Sequence, residues 1–335
     1  MSEYAILIVH YNCWDYLRRC LNSLREQTVR DFSLYVLDNG SDEPVPDDIR
    51  QWPDLHLIES EKNLGFAAGC NLLLREARDS TWSLLLNPDA AADPSWFENM
   101  VRAGEQFPEN TFFCSRLLSD DRLSLDGDGD CYHFSGLAWR QGHGRAVPDS
   151  KGYQEVFSAC GAAAMYRTST VLEAGGFDED FFMYMEDVDL GFRLRLQGES
   201  CLLAPDAVVT HAGGVSSGGQ RSRFATYHGH RNLVWCYIKN MPASLLILSL
   251  PLHLLMTIIV VIRLGFRGQL ATALAAKRDA LKLIPSMWRK RREIQAGRKV
   301  SLFGLLSVMQ FMPWMSRYTG GRKNRLDSSR NSPII

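Results

Sequence analysis

At 335 residues, with 46% hydrophobic side chains, the chain is long enough to bury the core of one large α/β domain with an appendage, or of two modest domains. The formal charge of -1 conceals a split: residues 231–335 carry 18 Lys+Arg against 3 Asp+Glu, and the first 230 carry 19 against 35. A basic tail interleaved with apolar runs suits anionic lipid headgroups and sets nucleic acid aside, while eight scattered cysteines without a CxxC pair exclude a disulfide-stapled scaffold.

The segment YAILIVHYN is a continuous run of β-formers ending in polar residues, as expected of a central strand buried on both faces. It lacks the basic and apolar regions of a secretory signal, which with the unpaired cysteines gives the expectation of a catalytic part kept in the cytoplasm. In DYLRRCLNSLREQ, Leu17, Leu21 and Leu24 recur at helical spacing, with Asp15 expected as the N-cap. FSLYVLDNGS is a second strand ending in Asp38, Asn39 and Gly40; HLIES, helical FAAGCNLLLREA and the strand SLLLNPDA follow. This alternation predicts βαβ units and a Rossmann-like, doubly wound, mostly parallel α/β sheet. Asp93 and Pro94 are expected to open the next helix.

From residue 111 the runs shorten, and TFFCSRLL and FSACGAAAMYR read as antiparallel or mixed strands, with LDGDGD between them as a surface loop. GGFDEDFFMYMEDVDLGFRLRLQG puts acidic residues ahead of an amphipathic helix; LLAPDAVVTHAGG reads as a strand or two ending at His211, and GGVSSGGQRS as a mobile loop. A helix over RNLVWCYIKN leads into MPASLLILSLPLHLLMTIIVVIRLG, about 22 uncharged residues before Arg263 and just long enough to cross a bilayer. Pro242, Pro251 and His253 weaken a spanning helix and leave a buried or in-plane hairpin open. LIPSMWRKRREI and VSLFGLLSVMQFMPWMSR fit interfacial helices with aromatic anchors. The expected division is a catalytic domain over 1–235 and a basic, apolar, helical, membrane-associating region over 236–335.

In doubly wound sheets ligands bind beyond the carboxyl ends of the strands, where Tyr11–Asn12, Asp38–Asn39 and Asn87–Pro88–Asp89 fall. Alone, Asp38 fits a turn residue as well as an acceptor for a base or ribose. With Asp89 on the same edge, carboxylates there can hold a divalent cation and, through it, a diphosphate. Lys62, Asn63 and Gly65 precede a helix start that suits phosphate or ribose contacts, a pattern shared with ordinary helix packing. Glu186, Asp187 and Asp189 either charge the start of a helix or present one carboxylate as a base.

Taken in order, VHYN, VLDNGS, EKNLGFAAGCN, LLLNPDA and MEDVDLGFRLRLQG, spread over residues 4 to 235, resemble glycosyltransferase family 2 with the GT-A fold, nearest to its bacterial rhamnosyltransferase-like branch. The resemblance implies inverting transfer from a nucleoside-diphosphate sugar, with L-rhamnose from a dTDP donor as the sugar. The implied acceptor is a hydroxyl of a lipid-linked or polysaccharide glycan of the cell envelope, reached at the cytoplasmic face of the membrane. It makes Asp187 the base and puts Asp38 at the nucleotide's base and ribose. The metal-binding DxD element falls on NPDA, so Asp89 is the one carboxylate where many members have two, and Asn87 ligates or hydrogen-bonds. His211 either completes the Mg²⁺ or Mn²⁺ shell or is an ordinary strand-end histidine. Tyr11, Asn12, Lys62, Asn63, Gly65, Asn87, Asp89, Glu186 and Arg231 are placed with the donor; Arg221, Arg223 or Arg231 share the diphosphate charge if the cation is poorly held. Two other readings compete. One is a catalytically idle nucleotide-sugar or glycan-binding domain; the other, a nicotinamide-dependent oxidoreductase, is disfavoured because HYNCWDY stands where GxGxxG is required.

Overall fold

Successive residues of the first strand, β1 (Tyr4–His10), serve opposite faces of a sheet: Ile6 and Ile8 enter one core, and Ala5, Leu7 and Val9 the other. In a computed structural model the protein is described over residues 2–149, 152–215, 218–219 and 221–312. After β1 come α1 (Trp14–Arg25), β2 (Ser33–Asp38), short α2 (Asp47–Arg50), β3 (Leu55–Glu59), α3 (Phe66–Glu76), β4 (Trp82–Leu86), β5 (Ala90–Ala92) and α4 (Trp96–Gln106). The chain continues through β6 (Phe112–Ser119), β7 (Leu125–Gly127), β8 (Asp130–Tyr132), β9 (Ala138–Arg140), β10 (Gln154–Val156), β11 (Ala163–Arg167), α5 (Thr168–Glu173), α6 (Glu186–Gln197) and β12 (Cys201–His211). The main sheet runs β10–β12–β6–β11–β4–β1–β2–β3. Its β1–β2, β1–β4, β2–β3 and β6–β12 pairs are parallel, and β11 lies antiparallel between β4 and β6.

Leu17, Leu21 and Leu24 of α1 and Trp96, Phe97 and Met100 of α4 cover one face; Cys70, Leu73 and Leu74 of α3 and Leu190 and Leu194 of α6 cover the other. All eight cysteines are buried, and among the described residues none forms a disulfide, as the sequence indicates. Both expected helix caps are displaced. α1 begins at Trp14, so exposed Asp15 lies inside its first turn and pairs with Arg18 at 2.8 Å. α4 begins after Ser95, because the Asp93 carboxylate is taken by Arg122 at 2.7 Å.

LDGDGD is not a surface loop. Asp126, Asp128 and Asp130 are buried in and between β7 and β8, where Arg140 pairs with Asp126 and Arg116 with Asp128 at 3.1 Å. Strands β8 and β9 form a hairpin outside the main sheet. Of FSACGAAAMYR only Ala163–Arg167 joins the ladder, as β11; the preceding residues leave it to reach the sheet's carboxyl edge.

Five helices complete the described chain: α7 (Arg223–Asn240), α8 (Ala243–Phe266), α9 (Leu270–Lys282), α10 (Ile284–Ala296) and α11 (Leu302–Val308). The expected boundary at residue 235 falls inside α7. A third core joins Tyr132, Phe181 and Phe192 to Trp235 and Tyr237 of α7, Met287 of α10 and Leu305 of α11. By length and composition α8 is able to cross a membrane. One stripe of it, Leu245, Ser249 and His253 at four-residue spacing, is docked, with the His253 ring stacked on Tyr237 and bonded to the Ser135 carbonyl. Its other face exposes Ile247, Leu248, Leu254, Leu255, Ile258, Ile259 and Ile262. Trp288 of α10 is also exposed. The expected interfacial segment after α10 forms α11, and from residue 313 it lies outside the described residues, as do residues 216, 217 and 220 of the expected mobile loop.

Candidate active site

A cavity of about 240 Å³ opens at the carboxyl ends of β1, β2 and β4, floored by Cys160, Gly161 and Ala162. At the β1 and β2 ends it is lined by Val9, Tyr11, Asn39 and Asn63. Asn39 fixes this wall: its amide donates to Asn63 Oδ1 at 3.2 Å and to the Gly65 carbonyl at 3.3 Å, and its Oδ1 accepts the Leu64 N–H at 3.0 Å. Gly40 is required beside it, since at φ +75 a side chain there would lie 2.4 Å from the Lys62 backbone. Asp38 stands one residue short of the cavity, accepting from Ser41 Oγ at 2.6 Å and facing buried His10 at 3.5 Å. Burial lowers the His10 pKa to about 4 against the pull of Asp38, and its Nε2 accepts the Cys13 N–H, so the ring is neutral.

At the β4 and β12 ends, His211 sits between two carboxylates. Its Nδ1 meets Asp126 Oδ2 at 2.7 Å, and its Nε2 lies 3.3 Å from Asp89 Oδ1 and 3.5 Å from the Asn87 amide. Burial alone would lower its pKa; hydrogen bonds and charge from Asp126 and Asp89 reverse this and raise it to about 9. Asn87 Oδ1 is buried without a hydrogen-bond partner among the described residues. Leaving such an atom unmade costs about 1–3 kcal/mol, so its presence beside Asp89 and His211 points to a ligand. A carboxylate behind the far ring nitrogen is the usual support of a metal-binding imidazole. Among the described residues no group of three or more His, Cys, Asp or Glu side chains is placed to hold a metal. Asp89 and His211 are the two side chains there able to ligate, and they form no such group by themselves.

The remaining walls come from the β8–β9 hairpin, the start of α6 and α7. Asp187, half-buried in the first turn of α6, accepts the Gly161 N–H at 2.9 Å and the Val188 N–H at 2.8 Å. Neighbouring Glu186 is buried, and burial followed by the Asp187 charge pushes its carboxyl well above the usual range. The backbone reaches α6 through Phe182, Tyr184 and Met185, all at positive φ. Asn232 of α7 holds this turn, its amide 2.7–2.9 Å from the Phe181, Met183 and Tyr184 carbonyls.

Tyr11, Asn63, Asn87, Asp89, Glu186, Asp187 and His211 are thus gathered in one lining. Asn12, Asp38, Lys62, Gly65 and Arg231 are not. Asn12 exchanges bonds with Asp42, and Lys62 is exposed. Arg231 is held over the Tyr227 and Trp235 rings and donates to the Asp180 and Phe181 carbonyls. Arg221 and Arg223 are exposed outside the lining. Asp189 is more than a first-turn charge: fully buried, it binds Arg193 at 2.9 Å, Lys239 at 2.8 Å and the Asn240 amide at 2.7 Å, fastening α6 to α7. Sequence reasoning missed Asp126, Asp130, Trp139, Arg140 and His230; the first two lie in LDGDGD, whose glycines read as an exposed turn.

A doubly wound sheet with its polar cavity at the carboxyl edge, closed by an added antiparallel strand and hairpin, is the arrangement of a GT-A enzyme. The chain belongs to Glycosyl transferase family 2, whose profile matches residues 5–173; that of Glycosyl transferase family group 2 matches residues 96–288. It is 28% identical over 254 residues to the N-acetylglucosaminyl-diphospho-decaprenol L-rhamnosyltransferase of Mycobacterium tuberculosis, covering 67% of this chain and 80% of that protein. The mannosyltransferase PcManGT from Pyrobaculum calidifontis, solved with GDP-Man and Mn²⁺, shares the fold with a TM-score of 0.53 at 18% identity over 88% of this chain and 86% of that one. GalNAc-T7, solved with UDP, GalNAc and Mn²⁺, does so with a TM-score of 0.57 at 14% identity over 71% of this chain, which spans 48% of that one.

Proposed function

We propose that the protein is an inverting glycosyltransferase that moves L-rhamnose from a dTDP donor to a hydroxyl of a lipid-linked glycan at the cytoplasmic face of the cell membrane, in cell-envelope glycan synthesis. The observation that carries the reading is one cavity holding the Asp89–His211 pair on one wall and the backbone-oriented Asp187 carboxylate on another. Tyr11, Asn39 and Asn63 line the end that takes the nucleotide, with Asp38, through Ser41, supporting that edge. Asp89 and His211, with Asn87 beside them, would hold a divalent cation, which would offset charge on the leaving diphosphate. Asp187 takes the proton of the acceptor hydroxyl as its oxygen bonds to the sugar's anomeric carbon from the face opposite the leaving group. The bond from that carbon to the diphosphate breaks with its electron pair, so nucleoside diphosphate leaves and the new glycoside has inverted configuration.

The sugar and acceptor rest on the likeness to the mycobacterial relative, whose name states both. The exposed apolar face of α8 and exposed Trp288 support attachment to a membrane surface, as does the basic charge of residues 231–335. The test is transfer by purified full-length protein to an N-acetylglucosaminyl-diphospho-lipid from a panel of nucleotide sugars with Mg²⁺ or Mn²⁺. Rhamnosylated lipid from dTDP-rhamnose is expected; transfer from a different donor alone corrects the sugar, and donor binding without hydrolysis or transfer would leave an idle binding domain.

A further inference from the structure

Of the buried side-chain atoms without a hydrogen-bond partner among the described residues, four belong to this one cavity: Asn87 Oδ1, Asp130 Oδ2, Glu186 Oε2 and His230 Nδ1. Natural proteins leave few such atoms, and a cluster of them in a cavity marks the groups that a bound molecule satisfies. Asn87 belongs to the sheet edge. The other three lie on the opposite walls, on β8, α6 and α7, and half-exposed Trp139 of β9 lines the cavity beside them. Asp130 stands in register with Arg140 and shares a face of the hairpin with it, while Trp139, in register with Cys131, belongs to the alternate face and meets the same cavity at its lining.

We propose that Asp130, Glu186 and Trp139 form the subsite that holds the acceptor's sugar ring, Trp139 covering its apolar face and the two carboxyl groups bonding the hydroxyls that do not react. The proposal rests on the transferase reading and names the acceptor side of the same cavity. Burial, followed by the charge of Asp187, pushes both Asp130 and Glu186 well above the usual carboxylate range. A carboxyl held upward in this way favours the protonated form, which both donates and accepts a hydrogen bond, a match for a sugar hydroxyl rather than a cation. Asp130 and Glu186 line the same cavity as Asp187, where on the transferase reading the attacking hydroxyl must come. An aromatic ring beside a few fixed polar groups is a common composition for a sugar site.

The test compares wild type with Asp130→Ala, Asp130→Asn and Trp139→Ala in transfer from the active donor to an N-acetylglucosaminyl-diphospho-lipid, reading KM for each substrate, acceptor-free donor hydrolysis and Tm. Asp130→Ala and Trp139→Ala should raise the acceptor KM about tenfold or more, with donor KM and donor hydrolysis within about twofold. Asp130→Asn, which still donates and accepts, should stay within about threefold. Asp130→Ala should leave Tm unchanged or higher, because a buried carboxyl with an oxygen lacking a partner among the described residues has been removed. An unchanged acceptor KM in both truncations overturns the subsite, and so does a parallel rise in donor KM, which would assign these groups to the donor. Should Asp130→Ala fail to fold, its role is structural, and Trp139→Ala still decides the acceptor wall. A wild type that transfers to no glycan lipid defeats the transferase reading itself, a separate result.

Discussion

The two halves of the cavity are built differently. The sheet-edge half is a row of strand ends, each contributing a residue or two directly after a buried apolar run, and its polar groups are largely satisfied by one another: Asn39 with Asn63, His211 with Asp126 and Asp89. The half made by the β8–β9 hairpin, the start of α6 and α7 is assembled from distant parts of the chain and retains unpartnered buried groups. On the proposed reading the sheet-edge wall, satisfied apart from Asn87 Oδ1, is preorganised for the constant nucleoside diphosphate. The less satisfied wall would be completed by the acceptor, and selectivity among acceptors would belong there.

Variants on each half should fail in different ways. The largest effect is expected at the sheet edge, where Asp89→Ala should lower kcat/KM by about 100-fold or more and abolish stabilisation of the protein by donor with Mn²⁺. Next comes the fastening of the far half to the sheet. Lys239 is buried against Asp178 at 2.5 Å and Asp189 at 2.8 Å; Lys239→Ala removes one cation from each, leaving Asp178 with Lys290 and Asp189 with Arg193. It should cost about 1–3 kcal/mol, seen as a Tm lower by several degrees, with the surviving enzyme still binding donor normally. Asn232→Ala should release the strained turn before α6 and lower kcat about tenfold with donor KM unchanged. A change in donor KM there instead would mean that the two halves do not work separately.

His211 gives a pH dependence to the sheet edge. Without a cation its pKa is raised to about 9, so the stabilisation that its two carboxylates confer is fully present below about pH 6.5 and is lost as pH rises through about 9. A cation on Nε2 must displace that proton, so apparent Mn²⁺ affinity should rise up to about tenfold per pH unit between 7 and 9 and flatten above. His211→Gln should abolish the slope, as measured by Mn²⁺ titration of the full-length protein. The smallest effect is expected away from the cavity. Ile258→Asp on the exposed face of α8 should weaken binding to phosphatidylglycerol-containing vesicles several-fold while leaving transfer to a water-soluble acceptor unchanged.

Legibility in the sequence follows the same division. Strand ends such as Asp38–Asn39 and Asn87–Asp89 could be read because the sheet order follows from βαβ alternation and ligands gather at the carboxyl edge. Asp130 and Trp139 could not: glycines between the aspartates of LDGDGD suggest an exposed turn, and only Arg116 and Arg140 across the strands make burial of Asp128 and Asp126 tolerable. Arg231 shows the opposite error, a cation assigned to the donor that the fold spends on the Phe181 carbonyl and two aromatic faces. The basic tail was visible as composition, but its tie to α6 through Lys239 and Asp189 depends on contacts 50 residues apart.

The account depends most on Asp187 serving as the base in a cavity whose other wall binds the donor. Asp187→Asn keeps the side chain's size and can still accept the Gly161 N–H, so the most direct measurement is sugar transfer by this variant alongside donor binding by thermal shift. A loss of transfer of about 1,000-fold with donor binding intact is the predicted result; transfer at the wild-type rate would contradict the account.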